Sequence, residues 1–308
     1  MGYRGPMRLV ALALAAALAA SACGAPRTDP ASALDDDAVT VASFNFTESR
    51  ILAELYAQAL EARGIPVERQ LNLGPRELVE PALERGLVEL VPEYAGSLLG
   101  FLGGTASAHP ADTLGHLRPA LRERGLIALE LAPAENRNAF VVTRIVADRL
   151  EAGSLSDLAR IGGLVLGGPP ECTRRPLCLP GLESVYGIRF AGFVPLDPAG
   201  PITADALRRG VVDVALMFST SPELLQPGFV ELEDDRGLQP AENVVPVVHE
   251  TTLSRFGAEL PAALEAVSSA LSTGELRALN AAVASGVAEP GEVAREWLSA
   301  HGLVPDAG

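Results

Sequence analysis

Ala82-Leu83-Glu84-Arg85-Gly86-Leu87-Val88-Glu89-Leu90 is echoed 124 positions later by Ala206-Leu207-Arg208-Arg209-Gly210-Val211-Val212-Asp213-Val214. Five of the nine positions are identical. Each copy reads as the end of a helix, a capping glycine and a strand. The same offset sets Tyr94 opposite Phe218, one aromatic just past each strand. In open α/β sheets ligands sit at the carboxyl edge of the strands, so two similar lobes bring both rings to one cleft. Two plainer readings stand beside this one: a nine-residue echo by chance, and aromatic residues that follow strands as part of a core.

Working outward, Val39 to Ser43 reads as a strand. Thr47 is placed to cap a helix whose apolar residues Ile51, Leu52, Leu55, Tyr56, Ala59 and Leu60 keep helical spacing up to Gly64. A strand at Val67 to Leu71, a helical piece from Pro75 to Arg85 interrupted or restarted at Pro81, and a short strand at Leu87 to Val91 follow. Alternation of this kind predicts an α/β fold with a largely parallel sheet.

Composition bounds what such a fold does. The chain has 308 residues, 48% of them hydrophobic, which is enough for two cores. Arg4 and Arg8 precede an apolar run, Leu9 to Ala20, that is too short to span a bilayer and ends in Ser21-Ala22-Cys23. The expectation is a lipoprotein signal peptide over 1–22, acylation of Cys23 and a flexible tether over 23–37 that holds the protein to the outer face of the cell membrane. The formal charge is -15 and becomes more negative once Arg4 and Arg8 are removed, so nucleic acid is a poor partner. All 24 basic residues are arginine, which excludes a phosphate-loop lysine, a Schiff-base lysine and every Ser-Lys mechanism.

Ser43-Phe44-Asn45-Phe46-Thr47-Glu48-Ser49 is similar to S-K-N-F-T-E-Q, and Val91-Pro92-Glu93-Tyr94-Ala95-Gly96-Ser97 to Y-P-E-Y-T-G-T, two segments of the binding proteins of ABC importers for glycine betaine, choline and carnitine. Arg175-Pro176 with Leu179-Pro180-Gly181-Leu182, Phe218-Ser219-Thr220, Leu232-Glu233-Asp234-Asp235-Arg236-Gly237, Pro246-Val247-Val248 and Glu292-Val293-Ala294-Arg295-Glu296-Trp297-Leu298 extend the resemblance in order from Val39 to about Leu303. It implies a two-lobed periplasmic-binding-protein fold of type II, with 38–141 and 244–308 in lobe I and 142–243 in lobe II. The chain then crosses near Asn138 to Thr143 and near Asn243 to Val248, and solute closes the lobes by hinge motion. It further implies a small-molecule ligand, a membrane permease as partner, no cofactor and no chemistry; a monomer is expected. A sensor that hands its closed form to a receptor remains an alternative.

Members of that family cage a trimethylammonium group in aromatic rings. Here Tyr94 matches one ring and Phe218 another, whereas Asn138 and Glu242 stand where two tyrosines are usual. At roughly 0.5 to 2 kcal/mol per ring, that loss amounts to about 1 to 4 kcal/mol, on the order of 10- to 1000-fold in affinity. Glu242 is the candidate substitute, because a carboxylate pairs with an amine cation; its alternative is a solvated hinge residue, and for Asn138 a turn residue. Arg175 matches an arginine suited to a ligand carboxylate, with Arg174 beside it and a structural salt bridge as alternatives. Ser97 keeps the hydroxyl of the family threonine. Phe44, next to Asn45, replaces a lysine near the cleft.

Cys172 and Cys178 flank five residues that include both arginines; outside the cytosol they are most simply a disulfide that pins that loop. Enzyme signatures are missing: His109, His116, His249 and His301 lack metal-ligand spacing, and neither a nucleophile elbow nor a phosphate loop occurs. Gly162-Gly163 and Gly167-Gly168 flank Leu164 to Leu166, which reads as a strand bounded by turns.

Overall fold

A computed structural model describes residues 1–2 and 37–305. Residues 3–36, which include Cys23 and most of the expected signal peptide and tether, lie outside the described residues. The first sheet has the order β2-β1-β3-β10-β4, built from β1 (Val39–Phe44), β2 (Val67–Gly74), β3 (Leu90–Tyr94), β4 (Leu126–Ala128) and, returning from the far end of the chain, β10 (Val244–His249). The second has the order β7-β6-β8-β5-β9, from β5 (Asn138–Thr143), β6 (Val165–Gly168), β7 (Gly192–Pro195), β8 (Val214–Phe218) and β9 (Phe229–Glu231). In each sheet one strand alone runs against its neighbours, β10 in the first and β5 in the second. Those two strands are where the chain has just changed lobes. The fold is α/β and two-lobed.

Strand residues alternate between two cores in each lobe, as the period of two requires. In the first lobe Val39, Val41, Leu90 and Val248 face the helices Thr47–Ala62, Glu259–Ala270 and Pro290–Ala300, while Ala42, Phe44, Val91 and Val247 face the opposite side. The second lobe repeats this with Phe140, Val142 and Leu166 on one face and Ala139, Val141 and Met217 on the other. Helices cover both faces, so β1 and β3 are buried along their whole length.

The echo seen in the sequence is a structural repeat. The helices Arg76–Glu84 and Pro201–Arg208 end alike: Leu87 N–H donates to Ala82 O and Val211 N–H to Ala206 O, both at 2.9 Å, around Gly86 at φ 64° and Gly210 at φ 69°. Both glycines adopt the left-handed conformation that a side chain disfavours. The turn consumes Leu87 and Val88, so β3 begins at Leu90 and not at Leu87. The preceding helix runs through Pro81 without a break. Gly167 and Gly168 belong to β6 and do not form a turn; a Cβ on Gly167 would lie 2.7 Å from Leu196 Cδ1. Thr47 supplies no backbone cap; it is the first residue of the helix, its Oγ1 accepts from Arg50 Nη2 at 3.3 Å, and Phe46 at the N-cap position offers no side-chain cap.

The connection between lobes is a pair of antiparallel segments. Ala132 N–H donates to Val244 O at 2.8 Å, Val244 N–H to Ala134 O at 2.9 Å and Asn136 N–H to Glu242 O at 3.0 Å. The chain leaves the first sheet after Ala128 and has joined the second by Asn138, so a division at 141/142 cuts through β5. A third tie comes from the helix Thr273–Ala284 of the first lobe, whose Arg277 Nε donates to Ser219 O at 2.9 Å. Among the described residues no helix is long and apolar enough to cross a membrane.

Candidate ligand cleft

The carboxyl ends of β1 and β3, the two crossing segments and the loops after β6 and β8 enclose a cleft of three adjoining chambers, of about 510, 280 and 330 Å³. The first and second share Phe46; the first and third share Asn136 and Phe218. Together they hold every ligand-binding residue expected from the sequence.

The third chamber gathers Ser97, Asn138, Arg175, Phe218 and Glu242. Pairing of β5 with β8 sets Asn138 directly opposite Phe218. Asn138 Nδ2 donates to Gln239 Oε1 at 3.0 Å, which fixes it to the second crossing segment. Arg175 is exposed and makes no ion pair among the described residues; Arg174 does not line the chamber. A disulfide joins Cys172 to Cys178, both buried in the second lobe's core, and so anchors the short loop that carries Arg175.

Glu242 differs from expectation. It is 8% exposed, and its carboxylate accepts from Ser97 N–H at 2.9 Å and from Ser97 Oγ at 2.8 Å. It is not a solvated hinge residue: it ties the second crossing segment to the start of the helix Ala95–Phe101 while still lining the chamber. Burial raises its pKa against the lowering effect of the two Ser97 hydrogen bonds. Gly96 makes this approach possible, since a Cβ there would meet Ala241 O at 2.8 Å and the Glu242 carboxylate at 3.1 Å.

The second chamber holds Phe44, Asn45 and Tyr94, with Arg76 from the next helix. Phe44 is buried, and the Arg76 guanidinium lies 5.3 Å from its ring centroid. A positive charge therefore borders this chamber although Phe44 itself carries none. Arg76 is already engaged, by Nε and Nη2 bonds of 2.8 Å to the buried Glu93.

The first and largest chamber contains residues that the sequence did not single out: Phe46, Glu48, Asn136 and Asn280. Phe46 is 42% exposed, and its ring stacks on Tyr94 at 6.2 Å and on Phe44 at 5.9 Å. Glu48 Oε1 accepts from Tyr94 Oη at 2.5 Å and Asn136 Nδ2 at 2.8 Å, while Oε2 accepts from Asn280 Nδ2 at 2.5 Å. Its place in the first turn of Thr47–Ala62 also suits the positive end of the helix dipole. Burial, followed by the negative charge of Glu48, keeps the Tyr94 phenol protonated far above its usual range. Phe46 and Glu48 were visible as parts of the opening motif; Asn280, 232 positions from Glu48, had no local signal. Among the described residues no cluster of His, Cys, Asp or Glu is placed to hold a metal ion.

Comparison with known proteins gives a consistent result. Residues 37–300 match the OpuAC family model, the substrate-binding domain of ABC-type glycine betaine transport systems. The chain is 28% identical over 277 residues to the glycine betaine-binding protein YehZ of Escherichia coli, covering 86% of this chain and 90% of YehZ. It is 27% identical over 272 residues to a glycine-betaine-binding protein of Pseudomonas aeruginosa, covering 85% and 87%. A crystal structure of a glycine betaine/carnitine/choline ABC transporter protein superposes with a TM-score of 0.79 at 25% identity, over 86% of this chain and 99% of that one.

Proposed function

The chain belongs to the OpuAC family of ABC-importer substrate-binding proteins, and from that premise we propose that its cleft takes a small solute of the glycine betaine, choline and carnitine class, with Phe218 over the cation and Arg175 on a carboxylate where the solute has one. Proteins of this family act outside the cytoplasm, bind a small molecule and pass it to a membrane permease; they are not enzymes. The observation that carries the reading is Phe218. It is 38% exposed at the end of β8 and faces two chambers of the cleft, where a poorly hydrated cation gains from the π face and from leaving water. Arg175 stands in the same chamber, without an ion pair among the described residues, on a loop held by the disulfide. Solute touching both lobes favours the closed population by its differential affinity. Acylation of Cys23 is proposed to keep the monomer at the membrane, near its permease.

Polar Asn138 and Glu242, where the family has rings, favour a second reading, in which a non-betaine amine or amino acid is the solute. A thermal-shift screen with betaines, choline, carnitine, amines and amino acids separates the two, because a ligand that binds only the folded state raises Tm with the logarithm of its concentration over Kd. A shift with trimethylammonium compounds that is lost in Arg175→Ala for betaine and carnitine supports the first. Wild-type affinity in an Arg175→Ala, Glu242→Ala double variant removes both residues from the site.

A further inference from the structure

We infer that the largest chamber is a subsite for an organic cation bearing N–H donors, a primary ammonium or a guanidinium, recognised by Asn280, Asn136 and Glu48 beneath the rings of Phe46 and Phe218. This rests on the chain being a solute-binding protein and goes beyond it in naming a different nitrogen chemistry at a different place in the cleft. The chamber's twelve lining residues include one carboxylate, Glu48, and neither an arginine nor a histidine. A cation entering it meets no positive charge on the wall.

The acceptors are left over after the internal hydrogen bonds are made. Asn136 and Asn280 both turn Nδ2 toward Glu48, and in each side chain Oδ1 is buried without a hydrogen-bond partner among the described residues. A buried acceptor with no donor costs about 1–3 kcal/mol. Both side chains line the chamber, and a shift that opens either oxygen to it gives a ligand with several N–H groups an acceptor that a trimethylammonium group cannot use, since its methyls donate no conventional hydrogen bond. Phe46 from the first lobe and Phe218 from the second line the same chamber, 42% and 38% exposed, and offer π faces to the apolar part of the ligand. Asn280 Nδ2 also donates to Thr220 O at 3.2 Å, so the donor end of the site already spans both lobes. A volume of about 510 Å³ accommodates a cation larger than a betaine.

The test uses the full chain and matched probes that differ in N-methylation: ethanolamine against choline, glycine against glycine betaine, and phenethylamine against its N,N,N-trimethyl derivative, each by calorimetric titration. The inference predicts that at least one N–H member binds 10-fold or more tighter than its methylated partner. Asn280→Ala is then expected to bring that ratio near one, and Phe46→Ala to weaken the N–H member about 10-fold with an unchanged melting temperature. Because Asn280→Ala also removes a lobe-to-lobe bond, the readout is the ratio within a pair and not the absolute affinity. Methylated members winning in every pair, or a ratio unmoved by Asn280→Ala, overturns the inference. If those methylated ligands still depend on Phe218 and Arg175, the solute-binding reading survives that failure; no binding by any probe up to 10 mM overturns both. Water alone on the two amide oxygens shows itself as no preference within any pair.

Discussion

Tyr94 and Phe218 end equivalent strands in two sheets of the same order, yet the first is 6% exposed and the second 38%. The backbones that deliver them match down to the capping glycines, so the difference lies in what surrounds each ring. Tyr94 gives its hydroxyl to Glu48, which is in turn held by Asn136 and Asn280. Phe218 has no hydroxyl to anchor and stands at the mouth of the cleft. A similar contrast lies beneath them: Glu80 and Glu93 are buried in the first lobe, where the second has Ala204 and Met217 at the equivalent positions. The first lobe is a hydrogen-bonded, charged platform. The second brings an apolar ring and an exposed arginine to it. The duplicated backbone thus supplies two walls of one cleft, and the substitutions on it divide the work between them.

Removing the ring from the second lobe should have the largest effect. Phe218→Ala is expected to weaken solute binding about 10- to 100-fold by calorimetry, with little change in melting temperature because the side chain is already substantially exposed. Equal losses of affinity and stability would make Phe218 a core residue and erase the contrast. The mirror experiment is Tyr94→Phe, which leaves Glu48 one donor short. A loss of about 1–3 kcal/mol in denaturant unfolding is expected, against less than about 0.5 kcal/mol for Phe218→Tyr.

The buried acids give the first lobe a response at alkaline pH. Burial first, and then the charge of Glu93, push the Glu80 carboxyl up to about 9, with Arg76 opposing and Glu84 adding to the rise. A carboxyl whose folded pKa is raised keeps a proton that the unfolded chain releases. Its contribution to stability is complete below the ordinary carboxyl range and is lost as pH climbs through about 9. Glu80→Gln keeps the neutral form at every pH, so its melting temperature at pH 9 should exceed that of wild type by about 3 °C or more, with the gap closing toward pH 4. A constant gap across that range would remove Glu80 as the source. The smallest effect tests the repeat itself: Gly86→Ala and Gly210→Ala should each cost about 1 kcal/mol, alike in both lobes because both φ angles are positive.

The repeat, the strands, the aromatic pair and the disulfide were legible because each is a short-range pattern: a glycine at a helix end, a period of two or 3.6, two cysteines with five residues between them. Errors gathered where distant segments meet. Leu87 and Val88 are apolar enough for a strand, but the closing bond to Ala82 takes them into the turn. Glu242 read as a solvated hinge residue in one alternative because the bond from Ser97, 145 positions away, left no local sign. Glu48 and Phe46 stood inside a quoted motif and were passed over, since their roles depend on Asn280 and on a chamber that exists once the helix Thr273–Ala284 reaches the second lobe. Periodicity reports the face a residue occupies; which partner waits on that face is decided by tertiary closure.

The central claim is that solute draws the exposed wall of the second lobe onto the platform of the first. Small-angle scattering of wild type and Phe218→Ala, each without and with the tightest-binding solute at saturation, tests it most directly. The account predicts a smaller radius of gyration for liganded wild type and a weaker contraction in the variant. Solute bound at saturation with no contraction in wild type would contradict it.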